Sequence, residues 1–64
     1  MDYPGWTVET SHPVDEADPE YCAQCAGMIA PAIAFATDWG STAHGSQTTD
    51  GEGNNHTVVV RQVV

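Results

Sequence analysis

The sequence contains no leucine and no lysine, and Arg61 is its only arginine. Valine, isoleucine and phenylalanine together account for ten of the 64 residues. A chain of this length buries only about 60% of its unfolded surface, and so few large apolar residues at high net charge are typical of disordered proteins. We therefore expect the isolated chain to be largely unfolded unless a metal ion or a partner stabilises it.

The shortage of basic residues gives a net charge of −8 at pH 7, which argues against several functions. Phosphate backbones repel such a chain, so we expect no binding to nucleic acid. No apolar run approaches the roughly 18 residues of a membrane-spanning helix, and the first residues lack the basic and apolar segments of a secretory signal. We therefore expect a virion or cytoplasmic location without membrane insertion.

The chain changes composition near residue 18. Six of its nine acidic residues lie within residues 1–20, together with three of its four prolines. Residues 1–18 are therefore predicted to form an acidic extended arm, with a short strand near residues 6–11 where larger and polar residues alternate. Residues 19–64 are predicted to form a small domain that contains both cysteines. The expected fold class is a small, loop-rich α+β protein with one short helix and two or three short strands.

The helix is predicted over residues 19–26. Asp18 is a good N-cap, Pro19 suits the first helical position, and Gly27 is a plausible stop. Bulky and small residues then alternate from Ile29 to Trp39, which favours a strand over residues 32–39. An alanine-rich helix is the alternative for that segment, but Pro31 fits the start of a strand better than a helix interior.

Two further segments complete the predicted domain. Residues 40–56 have the Gly, Ser, Thr, Asn and Asp content of a long loop, and Asp50–Asn55 is interpreted as a polar turn rather than a calcium loop. Residues 57–64 are predicted to form a strand, and their five valines lie on both of its faces. So apolar a strand is expected to be covered on both sides, either within the chain or by a neighbour's sheet.

Cys22 and Cys25 form a CxxC pair, the strongest chemical signal in the chain. Two thiolates at this spacing supply half of a tetrahedral zinc site, and His12, His44 and His56 are the candidates for the other half. Thiolate and imidazole donors favour Zn²⁺ over hard cations, and a metal would stabilise a chain with a small core. We therefore predict that zinc is bound by both cysteines and at least one histidine.

Other interpretations of the cysteines stay open. They are also compatible with two small buried apolar residues, or with a local disulfide or redox pair. A thioredoxin-like role would need a βαβ scaffold, which this sequence does not predict. Covalent haem attachment is excluded because Ala26, instead of histidine, follows Cys25.

The sequence contains no evident combination of nucleophile, base and orienting group, so a non-enzymatic protein is expected. One function class is a structural or accessory subunit of a large assembly bound to its protein subunits, with a minor virion protein (capsid, decoration or tail-associated) as the leading case. The acidic, lysine-free composition resembles that of proteins from salt-loving archaea and their viruses. The alternative class is a free-standing small zinc-binding adaptor or regulatory protein.

Overall fold

A computed structural model describes residues 3–63, which form one helix and three strands. In chain order these are β1 (Trp6–Thr10), α1 (Ala23–Asp38), β2 (Ala43–Thr49) and β3 (Asn55–Gln62). The strands pair antiparallel in the order β1-β3-β2, and α1 packs on one face of this open sheet. The predicted α+β class is confirmed. Within residues 3–63, no helix has the length and apolar character needed to cross a bilayer.

Strand β3 is the centre of the sheet and the source of most of its core. Its residues pair with β1 on one side, as in Val8 with Val60, and with β2 on the other. Val58 and Val60 are fully buried against the helix. The predicted C-terminal strand is confirmed over Thr57–Gln62, while Val64 lies outside the described residues. Both strands that cover its edges come from this same chain.

Helix α1 contacts the sheet through one stripe of small and medium-sized side chains. Cys25, Ile29, Ala32 and Ala36 are buried and recur every three or four residues, the spacing of one helix face. The predicted strand over residues 32–39 is therefore wrong, as is the predicted stop at Gly27. The high helix propensity of alanine outweighs the cost of Pro31, whose missing N–H leaves one helical hydrogen bond unmade.

The helix begins later than the cap signal predicted. Asp18 Oδ1 accepts a hydrogen bond from the Glu20 backbone N–H at 2.8 Å, but this closes a turn and not a helix. Cys22 is the N-cap instead: its backbone is extended, and its Sγ accepts from the Cys25 N–H at 3.4 Å. One of the two cysteines, Cys22, therefore sets the N-terminal boundary of the helix.

The helix ends at Asp38, beyond the predicted stop at Gly27, and Gly40 follows its C-cap residue Trp39. Gly40 has a φ of 65°, in the left-handed region, and its N–H donates to the Thr37 carbonyl. The Ser41 N–H donates to the Ala36 carbonyl at 2.8 Å. These two bonds form a Schellman motif, which satisfies carbonyls of the last turn and reverses the chain toward β2.

The predicted long loop over residues 40–56 is wrong, because most of it forms a hairpin. β2 pairs with β3 from Ala43 opposite Arg61 to Thr49 opposite Asn55, and only the polar turn between them lacks strand structure. β2 contains small polar residues with little apolar alternation. Its pairing depends on the adjacent valine strand, which residue-by-residue propensity does not include.

The N-terminal segment contributes a strand to the same sheet. β1 confirms the short strand predicted near residues 6–11, and it hydrogen-bonds along β3. The division of the chain at residue 18 stays a prediction about folding units. In the structure, β1 belongs to residues 1–18 but pairs with β3, which belongs to residues 19–64.

Two glycines offer a matched test of the helix. A Cβ added at Gly27, in the exposed interior of α1, or at Gly53, in the hairpin turn, would meet no atom within 4 Å. Their backbone conformations differ: Gly27 is helical, whereas Gly53 has a φ of 84°, in the left-handed region. Gly27→Ala should raise the free energy of unfolding by about 0.5–1 kcal/mol, because glycine is the more flexible residue in the unfolded chain.

Gly53→Ala should lower the free energy of unfolding by about 1–2 kcal/mol, because an L side chain strains a left-handed backbone. Thermal unfolding followed by circular dichroism measures both changes in one buffer. Equal destabilisation by the two substitutions would contradict a helix that continues through Gly27.

Candidate metal centre

Four side chains from three parts of the chain converge beside the start of α1. His12 follows β1, Cys22 and Cys25 lie at the first turn of α1, and His56 lies near the start of β3. One donor atom from each residue lies within 4.8 Å of every other. Four residues that could jointly hold a metal ion are therefore gathered at one point, and we call them the Cys/His cluster.

The sulfur and nitrogen atoms of the Cys/His cluster are at separations suited to a shared ion. Cys22 Sγ lies 3.3 Å from His56 Nδ1, and Cys25 Sγ lies 3.7 Å from the same nitrogen. Cys25 Sγ lies 3.8 Å from His12 Nδ1. Both cysteines are free thiols, so the structure contains no disulfide between them.

The helix start positions the two sulfurs. The Cys22 N–H donates to the Pro13 carbonyl at 2.7 Å, which joins the start of α1 to the loop that contains His12. One helical turn later, Cys25 is completely buried in the core with Ile29. Because Cys25 and Cys22 are three residues apart, both sulfurs lie on the same side of the helix end.

Ser11 holds His12 next to His56. The Ser11 N–H donates to the Thr57 carbonyl, and the Ser11 Oγ accepts from the Thr57 N–H, both at 2.9 Å. The two bonds join the end of β1 to β3. The adjacent residues, His12 after Ser11 and His56 before Thr57, therefore have ring centroids 4.8 Å apart. The Ser11 Oγ also lies 3.0 Å from His12 Nδ1.

Asp50 orients the imidazole of His56 from the hairpin turn. Its Oδ2 lies 2.9 Å from His56 Nε2, and its Oδ1 accepts the N–H groups of Glu52 and Asn54. The hydrogen bond from His56 holds the pKa of the Asp50 carboxyl well below its ordinary value of 3.8, so the group is ionised at neutral pH. An ionised carboxylate only accepts, so Nε2 donates to Asp50 and Nδ1 faces the sulfurs.

The pKa values of the two thiols shift in opposite directions. The hydrogen bond from the Cys25 backbone N–H lowers the pKa of Cys22, whereas burial raises the pKa of Cys25. The hydrogen bond to Asp50 raises the pKa of His56 above 6.5. A metal ion that bound here would displace protons from the thiols and imidazoles that bind it, so its affinity would increase with pH.

The third histidine predicted from the sequence lies elsewhere. His44, on β2, stacks against Phe35 with 4.4 Å between ring centroids and does not belong to the Cys/His cluster. Conversely, the sequence reasoning missed Asp50 and Ser11 as supporting residues. Asp50 and His56 flank the hairpin turn, and their proximity could have been inferred only if that hairpin had been predicted.

A cavity of about 590 Å³ lies between the N-terminal segment, β1 and α1. It is lined by Tyr3, Pro4, Gly5, Trp6, Val8, Val14 and Ile29, and none of these residues belongs to the Cys/His cluster.

The chain matches no protein-family model, no curated protein and no solved structure with significant similarity. The function must therefore be argued from the cluster itself.

The hydrogen bond between Asp50 and His56 predicts a measurable effect on metal affinity. Asp50→Asn keeps an Oδ1 acceptor for the turn amides but removes the carboxylate that orients His56. We expect it to weaken binding of a divalent metal ion about 10- to 100-fold, the usual effect of removing such a partner. Competition against a chromophoric chelator measures the change.

Glu52→Gln is the matched control, since it removes one negative charge from the same turn. The Glu52 side chain is exposed, and only its backbone N–H contacts Asp50. Equal weakening by both substitutions would show that loss of charge, and not orientation of His56, is responsible.

Proposed function

We propose that this protein binds one Zn²⁺ through His12, Cys22, Cys25 and His56, and that the metal stabilises the fold. The geometry of the Cys/His cluster supports the proposal. Zn–S bonds of about 2.3 Å and Zn–N bonds of about 2.0–2.1 Å in a tetrahedron put sulfur and nitrogen about 3.5 Å apart. The observed Sγ–Nδ1 separations of 3.3, 3.7 and 3.8 Å are close to that value. Two thiolates and two imidazoles are also donors that zinc prefers.

A structural role for the metal follows from the number of donors. Structural zinc sites are closed by four protein ligands, whereas catalytic sites keep one position for water or substrate. The four ligands also join the loop after β1, the start of α1 and the start of β3, which are distant in sequence. Within residues 3–63, the cluster of buried core residues comprises only Cys25, Ile29, Ala32, Val58 and Val60. The free energy of metal binding would therefore contribute much of the folding free energy.

Of the two function classes expected from the sequence, this proposal favours the small zinc-binding adaptor or regulatory protein. The supporting observation is that the fold places four donors together without any contribution from another chain. Strand β3, whose valines suggested pairing with a partner's sheet, pairs on both edges with strands of this chain. Membership of a virion or another large assembly stays a prediction from composition.

One observation favours a second candidate, chemistry at the Cys22 thiol. Cys22 Sγ lies 3.3 Å from His56 Nδ1, and His56 Nε2 lies 2.9 Å from Asp50 Oδ2. This is the order of nucleophile, base and orienting carboxylate, with a pKa of Cys22 that is lowered at a helix start. We favour zinc because Cys25 and His12 complete a set of four donors, which a thiol nucleophile would not need.

Native mass spectrometry with metal analysis tests the proposal. The chain purified without chelators should contain one zinc ion, and Cys25→Ser and His12→Ala should each lose it. His44→Ala is the matched control, since it removes the histidine that lies outside the Cys/His cluster, and it should keep one zinc ion.

Alkylation by iodoacetamide separates the two candidates. In the zinc-loaded chain both thiols should react slowly, and a chelator should accelerate both reactions. A chain that binds no zinc when refolded with it, and in which Cys22 alone reacts rapidly, would overturn the zinc proposal and support thiol chemistry.

A further inference from the structure

An exposed group of aromatic rings lies at the other end of α1 from the Cys/His cluster. Phe35 and Trp39 are 48% and 72% exposed, and their ring centroids are 5.8 Å apart. The His44 ring also lies against the Phe35 ring, with 4.4 Å between their centroids. We call these three residues the aromatic patch. Phe35 and Trp39 keep large apolar surfaces in water, whereas His44 is half-buried. Exposed apolar surface of this kind is found at interaction sites.

The electrostatic surroundings of the aromatic patch are negative. Trp39 caps the C-terminal end of α1, where the helix dipole is negative, and the last turn contains no basic residue. Asp38 is exposed and forms no ion pair with any of residues 3–63. Arg61, the single arginine, is paired with Glu9 at 3.0 Å. Apart from Arg61, residues 3–63 contain no lysine or arginine that could neutralise that end of the helix.

Aromatic faces and negative charge together attract one kind of ligand group. The face of an aromatic ring is electron-rich, and tryptophan is the strongest partner for an arginine or lysine side chain. We propose that the aromatic patch binds a basic segment of a partner protein, with an arginine or lysine side chain over Trp39 and a second cation near Asp38. A chain with a net charge of −8 favours such a partner through long-range attraction as well.

The same charges argue against other occupants. A second copy of this chain would bring another net charge of −8, and its single arginine is already paired with Glu9. Nucleic acid would be repelled by the acidic surface. A basic protein segment is the occupant whose charge complements both the helix end and the whole chain.

The aromatic patch is independent of the proposed zinc site. From Cys22 to Trp39 the helix extends for about 25 Å at its usual rise per residue. A failure of zinc binding would therefore leave this proposal standing, provided that the fold is kept. Conversely, loss of the aromatic rings should leave the metal content unchanged.

Titration of the full chain with two synthetic peptides tests the proposal. One peptide alternates arginine and glycine, the other alternates glutamate and glycine, and binding is followed by NMR at low salt. The arginine peptide should bind and shift the Trp39 indole resonance, whereas the glutamate peptide should not. Trp39→Leu keeps an apolar side chain but removes the aromatic ring, and it should weaken binding about two- to fivefold.

Two substitutions of acidic residues distinguish local from general attraction. Asp38→Asn should weaken binding of the arginine peptide more than Glu52→Gln, which removes the same charge at the distant hairpin turn. The fold of each variant is checked by circular dichroism. Unchanged affinity in Trp39→Leu, or equal effects of Asp38→Asn and Glu52→Gln, would overturn the proposal. Self-association of the chain through Trp39 without peptide binding would also overturn it.

Discussion

The contact between the start of α1 and the start of β3 is the constraint on which the rest of the structure depends. It places Cys25 in the core with Val58 and Cys22 within 3.3 Å of His56. The same contact packs the buried stripe of the helix onto the central strand. Packing and donor convergence therefore reinforce each other in a chain that contains few large apolar residues.

The hydrogen bonds around the Cys/His cluster extend this constraint to the remaining elements. Ser11 joins the end of β1 to Thr57, and Asp50 connects the hairpin turn to His56. Asp50 contacts His56, which belongs to the Cys/His cluster, and Ser11 contacts Thr57, which directly follows His56. A metal ion at this point would thus stabilise β1, the helix start and the hairpin together, which is how a small core is commonly supplemented.

Much of this arrangement could be inferred from the sequence, and the limits have identifiable physical causes. The CxxC spacing indicated two donors on one side of a turn or helix, and the valine run indicated a paired strand. The alternation from Ile29 to Trp39 indicated a strand where alanine propensity and the pattern of burial produce a helix. β2 was missed because its pairing comes from β3, and with it the position of Asp50 next to His56 was missed.

The histidines illustrate the same limit. Spacing alone did not distinguish His12 and His56 from His44, because all three lie outside the helix that contains the cysteines. Only the register of the sheet decides the matter: it places His56 at the start of β3 beside the helix N-terminus, and His44 near the helix C-terminus against Phe35. Tertiary pairing, which one sequence does not reveal, assigns each ring to its surroundings.

X-ray absorption spectroscopy of the zinc-loaded chain tests the central claim most directly, because it reports the atoms bound to the metal. A closed Cys2His2 site predicts two sulfur atoms at about 2.3 Å and two nitrogen atoms at about 2.0–2.1 Å, with no bound water. A shell made only of nitrogen and oxygen atoms would contradict the account. A shell of four sulfur atoms, which would require a second chain, would contradict it as well.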